Sequence, residues 1–170
     1  MKMTRMITMA SLVFLGAVTL QSCSDDEDVK QEFVADDNTF NSFMSWPLEA
    51  TNQGPDPALG TAHAGNDSTV TRKVYVQNGQ DIKDGSYPVG TLIVKHSQNP
   101  GSTVNEFTAM AKRGNDFNST GGDWEWFMLN SDGTIAVDGN NNKMRGADLM
   151  GGMCVMCHTQ ASSKDFVFSK

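Results

Sequence analysis

The chain has 170 residues, with 13 Lys and Arg against 20 Asp and Glu, a formal balance of −7. That length suits one domain, and that balance excludes a phosphate-neutralising nucleic-acid binder, which needs clustered Lys and Arg. A hydrophobic share of 38% with 16 Gly still allows a folded core, while three Cys are too few for a disulfide scaffold.

Residues 1–22 read as an export address. Lys2 and Arg5 precede an apolar stretch, Ala10 to Leu20, that is too short to span a bilayer. Leu20-Gln21-Ser22-Cys23 resembles the lipobox of bacterial lipoproteins, in which the Cys becomes the lipidated first residue. The expected mature chain starts at Cys23 and carries 11 − 20 = −9 over 170 − 22 = 148 residues. Ser24-Asp25-Asp26-Glu27-Asp28 reads as a solvated tether, and it also resembles the surface-export signal of such lipoproteins. Either reading predicts an exported, lipid-anchored protein of the periplasm or cell surface, on the outer membrane.

Residues 23–38 read as an acidic flexible linker and 39–170 as one domain. Phe40, Phe43, Met44 and Trp46 predict a short amphipathic helix stopped by Pro47. Residues 53–68, rich in Gly, Pro, Asn and Asp, predict a loop. Four strand-like runs follow: 70–76, 91–96, 106–112 and 124–129. Ser131-Asp132-Gly133 predicts a hairpin turn into Thr134 to Val137, and 140–152 a loop or short helix. The sum is an α+β domain, an antiparallel sheet of four to six strands with a few short helices. Nothing alternates regularly enough for βαβ units.

One motif carries chemistry. Cys154-Val155-Met156-Cys157-His158 is C-x-x-C-H. On a helical turn two Cys three apart face one side, each sulfur can form a thioether with a haem vinyl, and the His supplies a proximal nitrogen to iron. The rival readings are a redox pair, for which the βαβ setting is missing, a plain disulfide, and a zinc site. The other histidines, His63 and His96, sit in unrelated segments. Met150, Met153 and Met156 crowd the motif, and Met110, Met128 and Met144 are candidate sixth ligands. Arg145 reads either as a propionate contact or as a surface residue.

The C-x-x-C-H stands late in a strand-rich domain, followed by Ser163 to Ser169. Taken with Tyr87 to Lys95, Met110 to Arg113 and Gly122 to Phe127, it resembles the cytochrome P-460 and cytochrome c′-beta family from about Phe40 to Lys170. The resemblance implies a sheet-rich homodimer with one covalent haem c and one iron per chain, held by Cys154, Cys157 and His158. It implies a five-coordinate iron that binds hydroxylamine or nitric oxide, and an unidentified redox partner protein. P-460 members carry a lysine bonded to the porphyrin and oxidise hydroxylamine. The c′-beta members lack that bond and bind nitric oxide or carbon monoxide. Lys95 is the first candidate for the cross-link, since it shares a strand face with Ile93 while Leu92 and Val94 point the other way. Lys73 and Lys112 are weaker alternatives. The family pattern places a Glu one turn after the haem His, where this chain has Ser162; the nearest acid, Asp165, is expected to make an exposed turn contact. Phe107, Phe117 and Phe127 are candidates for an apolar cap on the iron's distal side.

Overall fold

The structure is a computed structural model that describes residues 31–168; the export segment, Cys23 and the acidic run lie outside the described residues. Six strands form one antiparallel sheet in chain order: β1 (Leu48–Gln53), β2 (Thr71–Val76), β3 (Leu92–Gln98), β4 (Asn105–Lys112), β5 (Trp124–Met128) and β6 (Arg145–Gly146). A short helix α1 (Met153–His158) and a 3-10 stretch (Thr159–Lys164) follow the sheet.

Alternation explains the two-sided burial. Along β3, Leu92 and Val94 join one apolar cluster and Ile93 joins the other. A strand buried on both faces reads as a continuous apolar run, as Leu92-Ile93-Val94 does. The first face packs under the N-terminal segment, where Phe43 meets Tyr75 and Phe107 edge-on at 5.8 and 5.9 Å and Phe40 meets Phe127 at 5.0 Å. Gly133 makes the closest approach there, because a Cβ on it would lie 2.4 Å from the Phe40 carbonyl oxygen. The second face carries Val74, Val76, Ile93, Met110, Trp124 and Trp126, covered by Leu149, Cys154, Val155, Phe166 and Val167.

Several expectations shift. The predicted helix at 40–46 is a single 3-10 turn, Phe43–Ser45, entered through Ser42 in the left-handed region and left through an extended Trp46, which break a longer helix at both ends. β1 was unpredicted, since its side chains are mostly exposed and carry no alternation. It is an edge strand, held by its ladder to β2. The hairpin beyond Ser131 shrinks to isolated bridges, Leu129 with Ile135 and Val137 with Lys143. The end of the expected linker is not free chain: Glu32 bridges Gly114 and ion-pairs with Arg113, and Ala35 is buried.

Candidate functional site

A cavity of about 660 Å³ lies between the second face of the sheet, the 56–63 loop, α1 and the tail at Val167 and Phe168. Strand register builds its sheet wall in three rows. Arg72 stands opposite Ser97 and Ser97 opposite Glu106; Val74, Lys95, Thr108 and Met128 form the second row; Val76, Ile93, Met110 and Trp126 form the third. One row is charged, one mixed and one apolar, so the wall grades from polar to dry.

The motif closes the cavity from the other side. Gly152, at φ 81°, turns the chain into α1, where Cys154 and Cys157 sit three residues apart on the cavity side. Burial, Cys157 and Glu106 raise the Cys154 thiol above its ordinary pKa, so it stays protonated. The His158 Nδ1–H donates to the carbonyl oxygen of Phe166 at 2.6 Å. A carbonyl can only accept, so the proton is fixed on Nδ1 and Nε2 keeps its lone pair. Burial pushes the His158 pKa down to about 4, helped by Lys95 and His63 nearby, so the ring is neutral at ordinary pH. A neutral imidazole with its other nitrogen hydrogen-bonded to a backbone carbonyl is the state that ligates a metal. Trp126 and Phe168 pack against the ring at 4.5 and 5.3 Å.

Four polar side chains, from the first two rows and the loop, meet at the polar end of the wall. His63 Nδ1 lies 2.7 Å from Glu106 Oε1. Burial holds the His63 ring neutral, so its Nδ1–H donates to the carboxylate. That bond, and the charge of Lys95 nearby, hold Glu106 below the usual carboxylate range. His63 sits at φ 50° and Ala64 at φ 52°, two left-handed residues in succession that aim the ring inward. Burial depresses Lys95 to about 8, against the opposing pull of Glu106. Arg72, 2% exposed, donates to the carbonyls of Gly54 and Ala64.

The residues fit a haem on two observations. The cavity volume falls in the ordinary range for cofactor sites, about 300–1,000 Å³. Arg72 Nε and Trp126 Nε1, both buried donors on residues of the cavity wall, have no hydrogen-bond partner among the described residues. Orphaned buried donors want an acceptor, and a cofactor with carboxylate groups brings them. A zinc reading finds less, since no group of three or more His, Cys, Asp and Glu among the described residues could hold a metal ion.

The structure thus brings Cys154, Cys157, His158 and Lys95 to one cavity, with Met110, Met128, Met150 and Met153 also on its wall. It separates others. Lys73 and Met144 do not line the cavity, and Lys112 is buried against Asp165 instead. Asp165 is not an exposed turn residue: it is 6% exposed and takes Lys112 on both carboxylate oxygens at 2.8 Å. Phe107 packs in the opposite core against His96, and Phe117 lies under Arg113, so neither caps this cavity; Phe127 touches the wall from the opposite core. Arg145 forks onto Glu125 at 2.7 Å through two nitrogens, away from the cavity.

Sequence reasoning missed Glu106, His63, Arg72 and Trp126 as wall residues. For Glu106 and Arg72 the signal was strand parity: each shares the face of Met110 or Val74. His63 carried no signal, being one residue in a Gly- and Pro-rich loop.

A family model described as Cytochrome P460 matches residues 56–169. No curated protein and no solved structure matches the chain.

Proposed function

The chain belongs to the cytochrome P460 family and is a haem-binding cytochrome of that type, and from that premise we propose that it is an exported protein with one covalent haem c that oxidises hydroxylamine or binds nitric oxide. Cys154 and Cys157 would hold the ring by thioethers, and His158 would hold the iron through Nε2. Bound there, the haem supplies a redox-active iron for small nitrogen species. The chain's own residues do the rest. Trp126, Ile93 and Met110 keep one side of the cavity dry. Glu106, ionised and hydrogen-bonded by His63, would accept a proton from a nitrogen substrate only as a weak base, and its charge would orient the substrate's N–H groups. Lys95, depressed to about 8, is neutral in appreciable fraction near that pH, which a covalent bond from its amine requires.

The observation that carries this reading is His158. Its Nδ1 proton is committed to a backbone carbonyl, and its ring shares one cavity with both thiols and Lys95. The lipid anchor at Cys23, the surface or periplasmic location, the homodimer and a separate redox partner belong to the same proposal and rest on the sequence.

The test is the haem-peptide mass and the ferrous spectrum of protein matured by a c-type attachment system. Two thioethers, a third bond at Lys95 and a red-shifted Soret band support the enzymatic reading. Two thioethers alone favour the second reading, a carrier that binds gas or passes electrons without turnover, for which Met110 and Met128 on the cavity wall are available sixth ligands. Colourless protein overturns both.

A further inference from the structure

The residue that orients His158 is Phe166, and Phe166 is held in place by a buried ion pair that no other feature of the site uses. Asp165 and Phe166 are consecutive non-glycine residues in the left-handed region, at φ 50° and 65°. Left-handed backbone is unfavourable for residues with a Cβ, so surrounding contacts help to impose the turn. Those contacts converge on Asp165. Its Oδ1 and Oδ2 each accept from Lys112 Nζ at 2.8 Å, and Oδ2 also accepts from the Tyr87 backbone N–H at 2.7 Å and the Ser86 hydroxyl at 3.1 Å. Its carbonyl oxygen accepts from Trp124 Nε1–H at 2.8 Å. Lys112 completes its own coordination on the Gly122 carbonyl at 2.6 Å.

All of these donors lie outside the 159–168 tail. They add an outside hold from the sheet and the 86–87 loop to the turn's own backbone bonds, Asp165 N–H to Ser162 and Phe166 N–H to Ala161. Gly122 closes the fit, since a Cβ there would stand 2.6 Å from the Phe166 ring. Stability alone is a poor account of such a pair, because a buried ion pair is often matched or bettered by apolar packing of the same volume. What it does supply is direction: the residue after Asp165 is the one whose carbonyl takes the His158 proton.

We propose that Lys112 and Asp165 are positioning residues for the proximal ligand, acting through the Phe166 carbonyl to fix the ring and its electron donation to iron. The inference rests on His158 being that ligand. A well-aimed acceptor on Nδ1–H raises the basicity of Nε2, which strengthens the iron–histidine bond and stabilises the oxidised iron.

The experiment uses haem-loaded protein carrying Asp165→Asn, Lys112→Met, Lys112→Arg or Ser86→Ala. It reads the iron–histidine stretching frequency, the midpoint potential and the melting temperature. Asp165→Asn and Lys112→Met are expected to lower the frequency and raise the potential, and Lys112→Arg to restore both toward the wild-type values. Ser86→Ala, which removes one bond at a half-buried site, is expected to move both in the same direction by less. It serves as the deciding variant where the two stronger ones do not load haem. Lowered melting temperatures with the wild-type frequency and potential retained overturn the inference and leave the ligand assignment standing. Wild-type protein whose iron shows no histidine ligand, by the iron–histidine band of a five-coordinate ferrous form or by the low-spin histidine signals of a six-coordinate one, overturns the assignment, and the inference with it.

Discussion

His63 donates to Glu106 across 2.7 Å from a backbone held in the left-handed region, so a strained loop and a sheet strand share one hydrogen-bonded pair. The carboxylate is ionised because the ring, itself neutral, spends its Nδ1–H on it. Glu106→Gln keeps the shape and removes the base. General-base contributions run to about 10²–10⁴-fold, and a carboxylate held below its usual range belongs at the low end, so on the proposed reaction hydroxylamine turnover should fall by about 10²-fold while haem content and Soret position hold. Steady-state rates with an artificial electron acceptor measure this, and a variant at near wild-type rate removes Glu106 from the proton path.

Lys95 should tax the fold before the haem is attached. Its pKa in the folded chain is about 8, below the ordinary 10.5. A base with a depressed folded pKa binds fewer protons folded than unfolded, so stability rises with pH between those two values. The penalty is complete below pH 8 and gone above 10.5. Lys95→Met should therefore stabilise the haem-free protein at pH 7 by up to about 3 kcal/mol, with the gain shrinking across that window. Urea unfolding of both proteins at pH 7 and pH 10 decides it; an equal gain at both pH values assigns the effect to packing.

Cys154 and Cys157 face one cavity from one helical turn. Replacing either with Ala should leave a single thioether, and replacing both should leave haem that denaturing electrophoresis strips off entirely. Covalent haem surviving in the double variant would place the attachment elsewhere.

Phe107 stacks on His96 at 4.3 Å in the core opposite the cavity. Phe107→Ala should cost about 3–5 kcal/mol, the usual range for a buried phenylalanine, with no change in the ferrous spectrum. Chemical denaturation and the spectrum are read on the same sample, and a shifted Soret band would mean that the two faces of the sheet are not independent.

Local pattern made the sheet legible. β-branched and aromatic runs at 70–76, 91–96, 106–112 and 124–129 each became a strand, with ends moved by one or two residues. β1 escaped because an exposed edge strand has little apolar pattern to show. The motif pointed to a site by its spacing, and the structure brings Cys154, Cys157 and His158 to one cavity. Lys95 was reachable by parity with Ile93. Register set Glu106 opposite Ser97, on the face of Lys95 and diagonal to it, and register forms only when strands pair. Asp165 was misjudged because its partner, Lys112, lies 53 positions away in the chain, a separation that no local window spans.

Every strand that walls the cavity precedes α1 in the chain. A polypeptide laid down from its N-terminus therefore completes the cradle before the clasp exists. The sheet's own ladders and the Phe40–Phe43–Phe127 core owe nothing to the last turn of chain. On the proposed attachment, the tail would be the last part of the chain to close over the cavity, where Asp165 meets Lys112.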